Sequence, residues 1–146
     1  MAGRKSRREK KYFSIAEANA ALPLIKAIVR DITELAHDLR ERQGRLLPLK
    51  PGKGGAALEP HQEELQHALA DYERDQERLN DFEQELKGLG VELKDYFAGL
   101  IDFPCMLDNR EIYLCWRYGE PEVAYWHELN AGFTGRQRIR AALTTK

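Results

Sequence analysis

The stretch Leu100–Trp116 reads LIDFPCMLDNREIYLCW and decides the fold of the second half of the chain. Two apolar runs rich in β-forming residues, Leu100–Leu107 and Glu111–Trp116, flank the turn-forming triplet Asp108-Asn109-Arg110. This pattern predicts an antiparallel hairpin. The turn residues of Arg117–Pro121 follow, and Glu122–Leu129 (EVAYWHEL) is the predicted third strand.

Aromatic side chains are concentrated in these predicted strands. Nine of the 13 aromatic residues lie beyond residue 90, and neither face of the strands is cleanly polar. Three strands and two narrow helices cannot cover both faces. We therefore expect part of the aromatic surface, at Trp116, Tyr125 and Trp126, to contact a second copy of the chain or to line a pocket. A homodimer is the predicted state.

The first half of the chain predicts a long helix with a defined start. Ser14 followed by Glu17 is a capping box, so the helix should begin at Ile15. Pro23 lacks a backbone N–H and clashes with the preceding turn, so we expect a short first segment and a helix that begins or kinks at Pro23. The helix should run to about Gln43. Apolar residues at spacings of four and three place one narrow stripe on it: Ile25, Val29, Ile32, Ala36 and Leu39.

A second helix follows a connection rich in glycine and proline over residues 44–58. It should begin near Glu59 or Pro60, end at Gly88 or Gly90, and complete a long antiparallel helical hairpin. A short helix is also predicted over Arg138–Leu143. The apolar stripe of the second long helix has the spacing typical of a coiled coil: Leu65, Leu69, Tyr72, Gln76, Leu79 and Leu86.

Composition favours one globular domain of 146 residues with 42% apolar residues and a net charge of -1. The apolar runs are far shorter than the roughly 20 residues that a bilayer helix needs, so no membrane contact is expected.

Two cysteines and no secretory leader predict a cytoplasmic protein. Residues 1–11 contain six Lys or Arg and one Glu. We interpret them as a disordered, solubilising tail, with a nucleic-acid partner as the lesser alternative.

Two patterns resemble metal ligands. Glu34 and His37, and Glu64 and His67, have the Glu-x-x-His spacing of di-iron sites on helical bundles. At about 100° per residue these side chains point away from the apolar stripes, so a solvated face is the better interpretation.

The second pattern is a set of donors on the predicted strands. The spacing of these donors matches no strong zinc pattern, so we favour buried structural cysteines. The donors are Cys105, Cys115 and His127, with Glu120 or Glu128. We therefore predict no metal site and name no cofactor.

Polar residues inside the predicted sheet are the remaining candidates. Asp102 lies in an apolar strand, where an ionised carboxylate needs a partner, and Arg117 or Arg136 is the expected one. His127 is either a satisfied core residue, which we favour, or a general base. The segment Gly132-x-x-Gly135-Arg136 has donors suited to a phosphate, although a plain turn is favoured.

Several motifs together resemble an uncharacterised bacterial family called domain of unknown function 2203. They are Tyr12–Asn19 with Leu22-Pro23, then Gly99–Pro104, Leu114–Glu120 and Tyr125–Arg136. The resemblance implies a domain assignment and no reaction. It also implies which polar residues to test: Asp102, Arg117, Glu120, His127, Glu128 and Arg136.

We predict an α+β fold in which the long antiparallel helical hairpin, residues 14–88, packs with a small three-stranded antiparallel β-sheet in a β module, residues 91–138. Residues 12–146 form the single domain. The leading hypothesis is a non-catalytic homodimeric binding or scaffold module with a protein partner. The alternative is a small enzyme or a metal- or anion-binding protein with a pocket around Asp102, Arg117, Glu120, His127 and Arg136.

Overall fold

A computed structural model of the chain describes residues 10–49 and 60–140, which contain two long helices and five strands. Residues 1–9, most of the predicted connection 44–58 and the end of the chain lie outside the described residues. Neither long helix is long and apolar enough to span a bilayer. The elements are α1 Ile15–Leu46, α2 Pro60–Gly88, β1 Glu92–Asp95, β2 Leu100–Leu107, β3 Arg110–Arg117, β4 Tyr125–Glu128 and β5 Gln137–Arg138, with short 3-10 helices at Leu47–Leu49 and Phe133–Gly135.

The capping box at the start of α1 is confirmed. The Ser14 hydroxyl accepts a hydrogen bond from the Glu17 N–H at 3.0 Å, and the Glu17 carboxylate accepts one from the Ser14 N–H at 2.9 Å. The prediction that the long helix begins at Pro23 is wrong, because α1 begins at Ile15 and runs through Pro23. Leu22 and Ile25 are both buried beside Pro23, and we attribute the continuity of the helix to this packing, which offsets one lost backbone hydrogen bond.

The two long helices pack side by side in opposite directions. Leu22 and Ile25, near the start of α1, share one apolar core with Leu86 at the end of α2. Leu39, near the end of α1, packs instead in a second cluster with Tyr72 of α2. The helix pair is therefore confirmed, and the start of α1 lies beside the sheet, where the Phe13 N–H donates to the Pro104 carbonyl at 2.7 Å.

The sheet is antiparallel with five strands in the order β1-β2-β3-β4-β5, so the prediction of three strands is wrong. The hairpin of β2 and β3 is confirmed. Asp108 and Asn109 both have positive φ, 51° and 63°, as a two-residue turn of this kind requires. The two unpredicted strands are the edges, ELKD and QR, which are short and polar. Arg138 lies in β5, so the predicted helix does not begin there.

One face of the sheet packs on the helices, and we call it the inner face. Its side chains, which share the main core with α1, include Phe103, Leu114, Trp116 and Trp126. Trp116 is 0% exposed and Trp126 is 9% exposed. The expectation of aromatic surface left uncovered by a single chain is therefore wrong for both tryptophans, since the helix pair covers the face on which they lie.

The opposite face, which we call the outer face, carries polar side chains at its centre. The strand register places five residues in one row across it, one from each strand. Tyr125 in this row is half-buried. The row consists of Glu92, Asp102, Cys115, Tyr125 and Arg138.

Candidate metal centre

Three buried side chains converge at the middle of the outer face. Asp102 of β2, Cys115 of β3 and His127 of β4 each present one donor atom, and these atoms all lie within 4.8 Å of one another. Asp102 and Cys115 are direct cross-strand neighbours, and His127 lies two residues beyond the partner of Cys115 on β4. Because alternate residues of a strand share a face, Asp102 and His127 meet above β3, where Cys115 also points.

His127 bridges Asp102 and its own strand. Its Nδ1 lies 2.7 Å from the Glu128 carbonyl oxygen, and its Nε2 lies 3.0 Å from both carboxylate oxygens of Asp102. Since a carbonyl oxygen only accepts, Nδ1 must donate. Nε2 and the Asp102 carboxylate therefore face each other with a proton or a cation between them.

Burial controls the charge of the Asp102 carboxyl group and of the Cys115 thiol. The side chains of Asp102 and His127 are 4% and 3% exposed. Burial raises the pKa of Asp102, and the hydrogen bond from His127 opposes this rise. Burial, together with the nearby Asp102 carboxylate, raises the pKa of Cys115 to about 12. Without a cation the thiol therefore stays protonated near neutral pH.

Tyr113 covers one side of this cluster. Its ring lies 5.5 Å from the His127 ring, and its hydroxyl donates to the Glu92 carboxylate at 2.9 Å. The Lys94 ammonium lies 5.2 Å from the Tyr113 ring centroid and 2.9 Å from Glu92. Sequence reasoning did not include these three residues among the candidates. The alternation that places Tyr113 on the same face as Cys115 was the available signal.

Arg136 and Glu120 form a second polar unit beside the cluster. The Arg136 guanidinium donates to both Glu120 oxygens at 2.8 and 2.9 Å, and it lies 3.9 Å from the Tyr125 ring centroid. The Glu120 carboxylate also accepts the Arg117 N–H at 2.8 Å. The predicted ion pair of Asp102 with an arginine is therefore wrong. Asp102 instead pairs with His127 across β3, and Arg136 pairs with Glu120.

The six predicted site residues thus separate into three groups. Asp102 and His127 meet directly, whereas Glu120 and Arg136 pair with each other and are joined by the backbone of Arg117. Glu128 contributes only its backbone carbonyl to the cluster, because its carboxylate receives Arg110 at 2.7 Å.

The other candidate donors lie away from the cluster. Cys105 is buried on the inner face with the core, so it does not meet Cys115. Glu34, His37, Glu64 and His67 are all exposed, as the helical wheels predicted.

The Gly132–Arg136 loop uses its own amides internally. The Gly135 N–H donates to the Gly132 carbonyl, and the Arg136 N–H donates to the Phe133 carbonyl, both at 3.1 Å. This arrangement favours the plain turn over a phosphate site.

The protein is a small α+β protein with a buried aspartate, cysteine and histidine on the sheet face opposite a helix pair. A family model described as Uncharacterized conserved protein (DUF2203) matches residues 11–139. The chain belongs to this family. Neither a curated protein nor a solved structure matches the chain. The resemblance found in the sequence motifs is thereby confirmed.

Proposed function

We propose that the protein binds one divalent transition-metal ion, Zn²⁺ being the best match, through Asp102, Cys115 and His127. The observation that carries this proposal is the convergence of their three donor atoms within 4.8 Å. Carboxylate oxygen, thiolate sulfur and imidazole nitrogen are the donor types that Zn²⁺ prefers. The proposal corresponds to the metal-binding alternative of the sequence interpretation, with Cys115 in place of Arg117, Glu120 and Arg136.

The surroundings of His127 support a metal ion. The other nitrogen of a metal-bound histidine almost always donates to a carbonyl or carboxylate, and Nδ1 has such a contact with Glu128 at 2.7 Å. That contact leaves the lone pair of Nε2 facing Asp102. A thiolate and a carboxylate would also neutralise the two charges of the ion, so the complex buries no net charge.

The burial of the ligands supports a structural role. Cys115 is 0% exposed, and Asp102 and His127 are each 2% exposed. A substrate would have no direct approach to an ion held there. The ion would instead cross-link β2, β3 and β4, because each of these strands supplies one ligand. We therefore propose a non-catalytic, metal-stabilised module.

Spectroscopy with Co²⁺ tests this proposal. Chelator-treated protein is titrated with Co²⁺, whose bond to a thiolate gives a charge-transfer band, and Zn²⁺ is then added in competition. We expect one equivalent to bind, to raise the melting temperature and to bind more tightly at about pH 8 than at about pH 6, because the ion displaces the proton of Cys115 and the proton that lies between Asp102 and His127.

Two cysteine variants form a matched pair for the titration. Cys115→Ser should lose the charge-transfer band, whereas Cys105→Ser, which changes a cysteine that is also 0% exposed, should keep it. Asp102→Asn should weaken binding by at least about 10-fold. Absence of binding by the wild type, or an unchanged band in folded Cys115→Ser protein, would overturn the proposal in favour of a proton shared by Asp102 and His127.

A homodimer, a protein partner and a cytoplasmic location remain proposals. Tyr118, Leu129 and Phe133 are exposed apolar side chains near the ends of the strands, at 40, 47 and 41% exposure. They are the remaining apolar surface of the β module that a second copy or another protein would cover. Light scattering tests the dimer directly.

A further inference from the structure

A cleft of about 420 Å³ opens between α1, α2 and the turn that joins β1 to β2. Its floor is apolar and includes Ala36 and Leu39 of α1 and Leu79 of α2. Ala36 and Leu39 are 4 and 6% exposed. This volume lies within the range of small-molecule sites, roughly 300 to 1,000 Å³, and such sites commonly lie between packed helices.

The wall formed by the turn is held in place by hydrogen bonds. The carbonyl of Phe97 contacts His37 Nε2 at 3.1 Å, and the Phe97 N–H donates to the Asp95 carboxylate at 2.8 Å. The neighbouring Tyr96 hydroxyl donates to Glu83 of α2 at 2.5 Å. The wall is therefore preformed, and ligand binding would cost little conformational entropy in this turn.

One cation at the rim of this cleft has no carboxylate partner among the residues that the structure describes. The Arg40 guanidinium lies 4.0 Å from the Phe97 ring centroid, and Arg40 is exposed. The next arginine along α1, Arg42, pairs with both Asp38 and Asp75. No carboxylate lies within 4.0 Å of Arg40 in residues 10–49 and 60–140.

Polar residues of α2 are also placed where a bound polar group would need them. Gln76 and Asn80 line the cleft, although Gln76 occupies the stripe that the helix otherwise fills with apolar residues. Glu83, the one acidic residue of the lining, accepts a hydrogen bond from the Tyr96 hydroxyl. The lining thus combines an apolar floor, an aromatic wall, the Glu83 carboxylate, the Arg40 guanidinium and two side-chain amides, of which Gln76 donates to the Tyr72 hydroxyl at 3.4 Å.

We propose that this cleft binds a small carboxylate with an aromatic body. The carboxylate group of the ligand pairs with Arg40, because a planar guanidinium binds a carboxylate through two parallel hydrogen bonds. The aromatic body of the ligand packs on Leu39, Leu79 and Phe97. This site is independent of the proposed metal centre, because none of its lining residues belongs to that cluster.

Titration with hydrocinnamate and its neutral amide, followed by amide NMR shifts, tests the proposal. We expect the carboxylate to bind about two- to fivefold more tightly than the amide, since the contact that distinguishes the two is an ion pair with an exposed guanidinium, worth up to about 1 kcal/mol. Arg40→Gln should abolish this preference. Arg30→Gln is the matched control, because Arg30 lies on the same helix, pairs with its neighbour Asp31 and does not line the cleft.

A bulky residue at the cleft provides a second variant. Asn80→Trp changes an exposed position of α2, so the fold should persist while binding of both compounds is lost. Equal binding of the carboxylate and the amide would assign the cleft to a neutral apolar partner and overturn the proposal. Absence of shifts in the wild type, or an unchanged preference in Arg40→Gln, would also overturn it.

Discussion

Replacing His127 by leucine should destabilise the metal-free protein far more than replacing both members of the Asp102–His127 pair. Leucine approximates the volume of the ring but removes the donor that faces both Asp102 oxygens at 3.0 Å. Asp102 is 2% exposed, so its charge would be left buried and unpaired, which costs about 3 to 5 kcal/mol. A domain of this length loses about 3 °C of melting temperature per kcal/mol, so we expect a decrease of about 10 °C.

Urea denaturation followed by tryptophan fluorescence provides the assay, because Trp116 and Trp126 are both buried on the inner face. The double variant Asp102→Leu with His127→Leu should recover most of the loss, since it buries no charge. The loss in the single variant should also diminish at low pH. Burial raises the pKa of Asp102, and the variant lacks the His127 hydrogen bond that opposes this rise, so its folded pKa lies higher than in the wild type. The stability of the variant is therefore present at acid pH and is lost as pH rises through that folded pKa.

Two results would refute this reasoning. One is a loss below about 1 kcal/mol in the single variant at neutral pH, which would mean that the pair lies in a solvated environment. The other is simple additivity of the two substitutions, because a coupled pair must deviate from additivity.

Further predictions concern the thiols, one turn and the assembly state. In the folded, metal-free protein, Cys105 and Cys115 should resist alkylation by iodoacetamide near neutral pH, because burial raises the pKa of these thiols to about 11 and about 12. Both thiols should react in urea. Rapid reaction of the folded protein would contradict this prediction. Gly99→Ala should lower the melting temperature by several degrees, because the new Cβ would lie 2.6 Å from the Tyr118 Cβ at a φ of +69°. Gly119→Ala has a φ of +104° and open space around it, so it isolates the effect of backbone strain. Light scattering should return about twice the chain mass of 16.8 kDa, and a clean monomer at micromolar concentration would exclude the proposed dimer.

The parts of the fold that could be predicted are those with a strong local signal. The capping box at Ser14 and the turn at Asp108 and Asn109 each depend on a few adjacent residues, so the sequence contains all the information that their geometry needs. The edge strands Glu92–Asp95 and Gln137–Arg138 lack such a signal. They are short and polar, and they form only because a neighbouring strand offers hydrogen bonds.

The candidate site was predictable in its faces but not in its contacts. Alternation places Cys115 on one face of β3 and His127 on one face of β4. Asp102 and His127, however, lie on strands that do not pair with each other, and their meeting depends on the registers of two strand pairs at once. The connection Tyr118–Ala124 contains the turn residues Gly119 and Pro121, but these residues do not specify the register of β4 against β3. The choice of His127 over an arginine as the partner of Asp102 therefore required the structure.

The sequential strand order has a consequence for how the protein is made. Asp102 and His127 are only 25 positions apart, so bringing them together closes a short loop and costs little chain entropy. We expect the central three strands to be among the first long-range contacts to form, and to serve as a nucleus onto which the helices then pack. A nascent chain would hold every ligand of the proposed ion as soon as position 127 had left the ribosome. Metal capture would then accompany synthesis.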